Sequence, residues 1–146
     1  MDIDSTLASR LVTQAPDAVI FADTDGVIRV WNAAATALFG FTAEEALGEG
    51  LDLIVPERFR DAHWTGYRRA LADGDTKYRG QALPTRSTKK DGTTIYIELS
   101  FAIVHGGDGS GAVIGALAHA RDITERFLRE REERRQREAA GGEPRA

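Results

Sequence analysis

The sequence predicts an α+β domain, in which a five-stranded antiparallel sheet carries helices on one face and a further helix lies at each terminus. Two apolar runs flank an Asp-Gly turn near the start of the chain, capping and helix-ending residues fill the middle, and three alternating apolar runs follow. Hairpins at both ends without a long crossover helix give an antiparallel sheet most simply. The 146 residues suit one domain of ordinary size.

The first elements are a short helix and a hairpin. Apolar residues recur at helical spacing over residues 5–15, with Ser5 as the expected N-cap and Pro16 as the end, so residues 1–16 are predicted as an amphipathic helix. Residues 18–22 and 27–31 are apolar and flank an Asp-Gly pair, the strongest short-range signal of a β-hairpin.

Capping signals predict three helices in the middle of the chain. Asn32 precedes an Ala-rich segment that stops at Gly40, and a Thr-x-x-Glu capping box begins at Thr42. Pro56 is expected to open the longest of these helices, which runs to about residue 72.

Three strands and a charged helix complete the chain. Strands are predicted over residues 80–88, 94–104 and 112–121, and together with the preceding elements they complete a domain over residues 17–124. Residues 125–140 alternate Arg and Glu, which favours a helix through i,i+4 ion pairs but leaves no apolar seam for a long coiled coil. Residues 141–146 are expected to be a disordered tail.

Composition excludes several functions. The net charge is −4 with basic and acidic residues interspersed, which argues against direct nucleic-acid binding. The absence of cysteine excludes disulfides, thiolate metal sites and a cysteinyl flavin adduct. No apolar run could span a membrane, so a cytoplasmic location is expected. Neither a Ser/His/Asp set nor a Walker loop is present, and no enzymatic activity is expected.

Several ordered motifs carry a resemblance to a known family. They are Pro16-Asp17-Ala18-Val19-Ile20, Asp25-Gly26, Trp31-Asn32-Ala33-Ala34, Leu38-Phe39-Gly40-Phe41, Glu44-Glu45-Ala46-Leu47-Gly48, Lys90-Asp91-Gly92 and Arg121-Asp122-Ile123-Thr124-Glu125. In this order, over residues 7 to about 128, they resemble the PAS sensor family. The resemblance implies that the Asp-Ile-Thr motif joins the last strand to a helix carrying a signal outward, and Asp122 also reads as an N-cap.

The segment 55–92 resembles the haem-binding PAS gas sensors, namely the rhizobial oxygen-sensor kinases and the direct oxygen-sensor phosphodiesterases. This implies b-type haem as cofactor, with His63 as the axial iron ligand. It also places Arg69 and Lys77 near the haem propionates and Leu99 and Phe101 on the sheet wall above the iron.

The residues themselves give His63 a plausible setting. It shares a helix face with Phe59, Ala62, Gly66, Tyr67 and Ala70, so its imidazole is expected to point into the apolar interior. Gly66, one turn along, would leave room for a flat ring. The alternative is a hydrogen-bonded core histidine beside an ordinary packing glycine, and both interpretations stay open.

One departure from the haem sensors bears on the gas that is sensed. The arginine that reaches bound oxygen in those sensors is Leu83 here, and Gln81 falls where the phosphodiesterases have a methionine. The distal wall would then be Leu99, Phe101 and Tyr78, which is apolar except for what Tyr78 or Gln81 offers. We expect carbon monoxide to bind readily and the oxygen complex to be short-lived.

Three functions remain after this reading: a haem-based sensor of a diatomic gas or of redox state, a sensor of another small hydrophobic ligand, and a ligand-free interaction module. Leu7, Leu11 and Val12 form an apolar stripe, which predicts a homodimer through the first helix. The output domain or protein is expected to act in trans. His105 and His119 have no partner at metal-ligand spacing and are expected to be structural or exposed.

Overall fold

A computed structural model describes residues 3–76, 81–107 and 109–141. The helices are α1 (Ser5–Thr13), α2 (Ala33–Phe39), α3 (Ala43–Ala46), α4 (Arg60–Asp73) and α5 (Thr124–Ala140). The strands are β1 (Ala18–Asp23), β2 (Ile28–Trp31), β3 (Leu83–Thr88), β4 (Thr94–His105) and β5 (Val113–Asp122). Two 3-10 turns, Leu51–Ile54 and Glu57–Phe59, precede α4. The predicted α+β class is therefore confirmed.

The five strands form one antiparallel sheet in the order β2-β1-β5-β4-β3. Side chains alternate between its two faces. The register aligns Ile20 and Phe101 with Ala118 of the central strand, and Leu83 with Leu99 at the β3 edge. These residues face the helices and form the inner face of the sheet. Small alanines on β5 leave room there for the larger side chains of the neighbouring strands.

The core lies between this inner face and α2 and α3. Phe39 and Ile28 are fully buried, and the Trp31 ring centroid lies 5.5 Å from that of Phe39. The Trp31 indole nitrogen donates to Thr36 Oγ1 and to the carbonyl of Phe41, at 3.1 and 3.0 Å. Its polar atom is thus satisfied inside an apolar cluster, which allows so large a ring to be buried.

The caps follow the sequence signals at two helices and differ at a third. Asn32 Oδ1 accepts from Ala35 N at the start of α2, and Thr42 and Glu45 form the reciprocal capping box of α3. The N-cap of α1 is Asp4 and not Ser5, because the carboxylate accepts from Leu7 N at 2.8 Å. The helix ends at Thr13, before Pro16.

Two predicted boundaries were too early. The long helix begins at Arg60, because Pro56 opens a separate 3-10 turn. Strand β3 begins at Leu83, whereas residues 77–80, where its start was predicted, lie outside the described residues. The end of the expected tail, 142–146, lies outside them as well.

Helix α5 leaves the sheet at Tyr96 on β4. Ile123 N donates to the Tyr96 carbonyl at 2.9 Å, and Thr124 Oγ1 accepts from Tyr96 N at 2.9 Å. Asp122 Oδ1 accepts from Thr124 N at 2.8 Å in the turn before α5, but the N-cap of the helix is Ile123 and not Asp122 as predicted, because the helix begins one residue later. Within the described ranges, none of the helices is both long enough and apolar enough to cross a bilayer.

Candidate functional site

Helix α4 is held to the first hairpin by two aromatic side chains. Trp64 Nε1 donates to Asp52 Oδ1 at 2.7 Å, and the indole ring covers Gly26, where any Cβ atom would overlap it. Tyr67 Oη donates to the Asp23 carbonyl at 2.6 Å. Because Gly26 has φ of +77° in the turn, glycine suits both the backbone and the close ring contact.

His63 lies beside these two rings and is half-buried. Its ring centroid is 5.0 Å from that of Trp64 and 5.9 Å from that of Tyr67. Its Nδ1 atom is buried and makes no hydrogen bond with the described residues. Burial disfavours the imidazolium and lowers the pKa of His63, although the charge of Asp52 partly opposes this. The imidazole is therefore neutral at pH 7, which is the form that can ligate a metal.

Tyr67 stays protonated over the physiological pH range. Burial, with a smaller contribution from the Asp23 carboxylate, raises the pKa of Tyr67 to about 12. The phenol therefore remains a hydrogen-bond donor to the hairpin. Its ring is directed to the hairpin and stacks at 27° to the His63 ring.

The predicted apolar face of α4 is only partly correct. Phe59, Ala62 and Gly66 are exposed, whereas His63 and Tyr67 are half-buried. The reason is that α4 packs against the β1–β2 hairpin mainly through Trp64 and Tyr67, so its buried side is narrow. A Cβ atom at Gly66 would meet nothing within 4 Å among the described residues, which leaves open space there.

The remaining predicted site residues are spread over different surroundings. Leu83, Leu99 and Phe101 are half-buried on the inner face of the sheet, and Leu99 packs against the core. Arg69 and Gln81 are exposed. Lys77 and Tyr78 lie outside the described residues.

Among the described residues, no hydrogen bond links His105 or His119 to His63. His119 is exposed on β5. His105 Nδ1 lies 2.8 Å from the Gly111 carbonyl, and its Nε2 lies 3.1 Å from the Gly74 carbonyl at the end of α4. His105 is thus structural, as expected. Among the described residues, no three His, Cys, Asp or Glu side chains cluster as metal ligands.

Two open surface clefts lie away from His63. One is formed by Arg121, Asp122, Ile123, Thr124, Glu125, Arg126 and Arg129 at the base of α5. The other is formed by Phe39, Gly40, Lys89, Lys90 and Asp91 beside the β3–β4 turn. Neither cleft includes His63. The candidate site is therefore described by the side chains around His63 and not by a cleft.

Sequence reasoning missed the role of Asp52. It lies in the first 3-10 turn, accepts from the Trp64 indole and contributes charge near His63. No local pattern marks such a residue, because its partner is twelve positions away and the pairing depends on how the turn meets α4.

Comparisons with known proteins indicate the same family as the sequence motifs do. A family model described as the PAS fold matches residues 12–127. The sensor protein FixL of Bradyrhizobium diazoefficiens is 32% identical over 110 residues, which are 75% of this chain and 21% of FixL. The oxygen sensor protein DosP of Escherichia coli is 30% identical over 87 residues, which are 60% of this chain and 11% of DosP. The chain thus spans about a fifth or less of these relatives.

Solved structures share the fold. The PAS domain of a Colwellia psychrerythraea protein superimposes with a TM-score of 0.70 at 23% identity, covering 82% of this chain and 97% of that one. An RNA-binding light-oxygen-voltage receptor gives a TM-score of 0.72 at 23% identity, covering 93% of this chain and 39% of that one. Together with the match over most of the chain, these findings establish that this chain belongs to the PAS family and is a sensory domain related to FixL and DosP.

Proposed function

We propose that this PAS domain binds b-type haem with His63 as axial ligand and senses a diatomic gas or a redox state. One observation carries the proposal. On the helix where the resemblance puts the ligand, a half-buried histidine is held neutral and its Nδ1 makes no hydrogen bond with the described residues. A neutral imidazole in a largely apolar setting is a good haem ligand. The relatives named as a sensor and as an oxygen sensor support the same direction.

Other residues would share in holding the group. Leu99 and Phe101 would provide an apolar wall, and Gly66, which is exposed and carries no side chain, would not obstruct a flat ring. The exposed Arg69, together with Lys77, would face the propionates. The haem iron would supply the gas-binding or redox centre, while the protein sets access and polarity around it.

The residue at position 83 bears on which diatomic gas the domain would bind. Leu83 provides no hydrogen-bond donor, whereas bound oxygen carries partial negative charge and depends on one. Carbon monoxide depends less on such a donor. We therefore propose that the domain favours carbon monoxide over a long-lived oxygen complex.

Haem titration of the purified chain tests the cofactor. The expected result is a Soret band that saturates at one equivalent in the wild type. His63→Ala is expected to weaken binding by more than the roughly 10–100-fold that loss of an outer-shell partner costs. His119→Ala is the matched control, because this histidine is exposed on β5, and it should bind as the wild type does.

Two results would overturn the assignment. Wild-type uptake by His63→Ala would remove His63 as the ligand, and no saturable uptake by the wild type would remove haem itself. In the second case, mass spectrometry of the denatured protein distinguishes the alternatives. A retained small hydrophobic molecule would indicate a sensor of that ligand, and an empty core would indicate an interaction module.

Helix α1 favours homodimer formation as part of the same function. Leu7 and Leu11 lie one turn apart on it and are 46 and 56% exposed, and Ile3, just before the helix, is 48% exposed. Asn32 Nδ2 donates to the Val12 carbonyl at 2.9 Å and holds the end of the helix, and in this position Leu7 and Leu11 are exposed to solvent. A second copy would cover this apolar surface.

Sedimentation velocity over a range of concentrations tests the homodimer. Replacing Leu7 and Leu11 with glutamate should raise the monomer fraction, whereas Leu47→Glu, a similarly exposed leucine next to α3, should not. A wild type that remains monomeric at high concentration contradicts this proposal.

The output protein or domain is proposed to receive the signal through α5.

A further inference from the structure

Helix α5 is anchored to β4 by Tyr96 and by an ion pair between Arg126 and Glu98. The Tyr96 and Phe127 rings stack with centroids 4.1 Å apart and planes at 17°. The backbone of Tyr96 also bonds Ile123 and Thr124 at the start of the helix. A displacement of the Tyr96 side chain would therefore change the contacts that hold the start of α5.

Arg86 on the edge strand β3 reaches the same tyrosine. The two residues are paired in register, and Arg86 Nη2 donates to Tyr96 Oη at 3.2 Å. The guanidinium carbon lies 5.5 Å from the centre of the Tyr96 ring and 5.9 Å from that of Phe59. Phe59 is the residue before α4, so one guanidinium lies between the start of α4 and the anchor of α5.

The guanidinium of Arg86 is free to contact the two aromatic rings, because no carboxylate among the described residues pairs with it. Within the described ranges it forms no ion pair with a carboxylate, and its contacts are the two rings and the phenol. A guanidinium is planar and can contact two rings while donating to a hydroxyl, which an ammonium cannot do as well. Partial desolvation acts to raise the pKa of Tyr96, but hydrogen bonds from Arg86 and Arg131 outweigh it, and the pKa is lowered.

We infer that Arg86 is a positioning residue that mechanically couples the start of α4 to the base of the exit helix α5 through Phe59 and Tyr96. Phe59 lies four positions before His63, so a shift of α4 around His63 changes the Phe59 contact and reaches Tyr96 through one side chain. The contacts that carry this coupling are made by protein side chains alone. It goes beyond the proposed haem function and can be tested whether or not haem binds.

Hydrogen–deuterium exchange followed by mass spectrometry tests the coupling in the full chain. Exposed cation–π contacts of about 0.5–1 kcal/mol correspond to roughly two- to fivefold changes in opening equilibria. Arg86→Leu is therefore expected to accelerate exchange by about that factor in two separate segments, residues 60–66 and 125–131. Arg86→Lys should give an intermediate effect. Arg10→Gln, at an exposed arginine on α1, should change neither segment.

A second variant separates the coupling from general loosening. Tyr96→Phe keeps the ring that stacks on Phe127 and removes only the hydroxyl, which interacts with Arg86 and with Arg131 of α5. It is expected to accelerate exchange in residues 125–131 and to leave the unfolding midpoint nearly unchanged. The inference is overturned if Arg86→Leu affects only β3, or if it accelerates all segments equally while Tyr96→Phe exchanges at wild-type rates.

Discussion

Asn32 should be among the most sensitive positions in the fold, because its side chain satisfies four backbone groups at once. Oδ1 accepts from Val19 N at 2.9 Å and from Ala35 N at 3.0 Å. Nδ2 donates to the carbonyls of Val12 at 2.9 Å and Asp17 at 3.1 Å. The residue is only 4% exposed, so water cannot replace these bonds without rearrangement. It joins α1, β1 and α2.

The cost of Asn32→Ala follows from these bonds. The substitution leaves the amides of Val19 and Ala35 without acceptors, and each buried unsatisfied group costs roughly 1–3 kcal/mol. Water entering the vacated space recovers part of this cost, so we expect a loss of about 2–4 kcal/mol. That is a large fraction of the roughly 5–15 kcal/mol that stabilises a typical domain.

Urea unfolding followed by tryptophan fluorescence measures this loss, because Trp31 lies in the core. The midpoint should fall while the slope of unfolding free energy with urea stays unchanged. Thr42→Ala is the control. Thr42 is an N-cap as well, but it is exposed and makes one cap bond to Glu45, so its removal should cost about 1 kcal/mol.

Asn32→Asp separates the two halves of the network. It keeps the acceptor for both amides and places a second carboxylate oxygen against the carbonyls of Val12 and Asp17. We therefore expect faster tryptic cleavage after Arg10 as α1 loosens, with a smaller loss of stability than in Asn32→Ala. If Asn32→Ala costs no more than Thr42→Ala, the reasoning from buried hydrogen bonds is refuted.

Three further predictions concern packing, pH and gas binding. Gly115→Ala should lose about 3 kcal/mol or more in urea unfolding, because φ is +156° and the added Cβ would overlap the Ala22 carbonyl, whereas Gly107→Ala has open space and should stay close to wild type. The lowered pKa of His63 means that the unfolded chain gains a proton first as pH falls below about 6.5, so folding stability decreases there. His63→Gln should therefore lose less stability than the wild type between pH 8 and pH 5 in paired urea titrations, and an equal loss would contradict this. In haem-loaded protein, stopped-flow oxygen dissociation should be fast and unchanged by Gln81→Leu, and slow wild-type release accelerated by that variant would make Gln81 the oxygen donor.

Local signals determined most of the elements correctly. The Asp-Gly turn, the cap at Asn32 and the capping box at Thr42 each satisfy their backbone groups within a few residues, so their effect is readable without the rest of the fold. Boundaries failed where two signals competed. The N-cap of α1 is Asp4 and not the neighbouring Ser5. Pro56 precedes a 3-10 turn, and the long helix begins after that turn.

The candidate site shows the same division. The sequence alone determined the fold class, the family and the histidine on the long helix, because periodicity and ordered motifs are properties of neighbouring residues. Only the tertiary structure decided which side of α4 is buried, that Asp52 meets Trp64, and that Arg86 lies between Phe59 and Tyr96. These contacts join positions 10 to 27 residues apart. They depend on the packing angle of α4 and the register of β3 with β4, which no local pattern encodes.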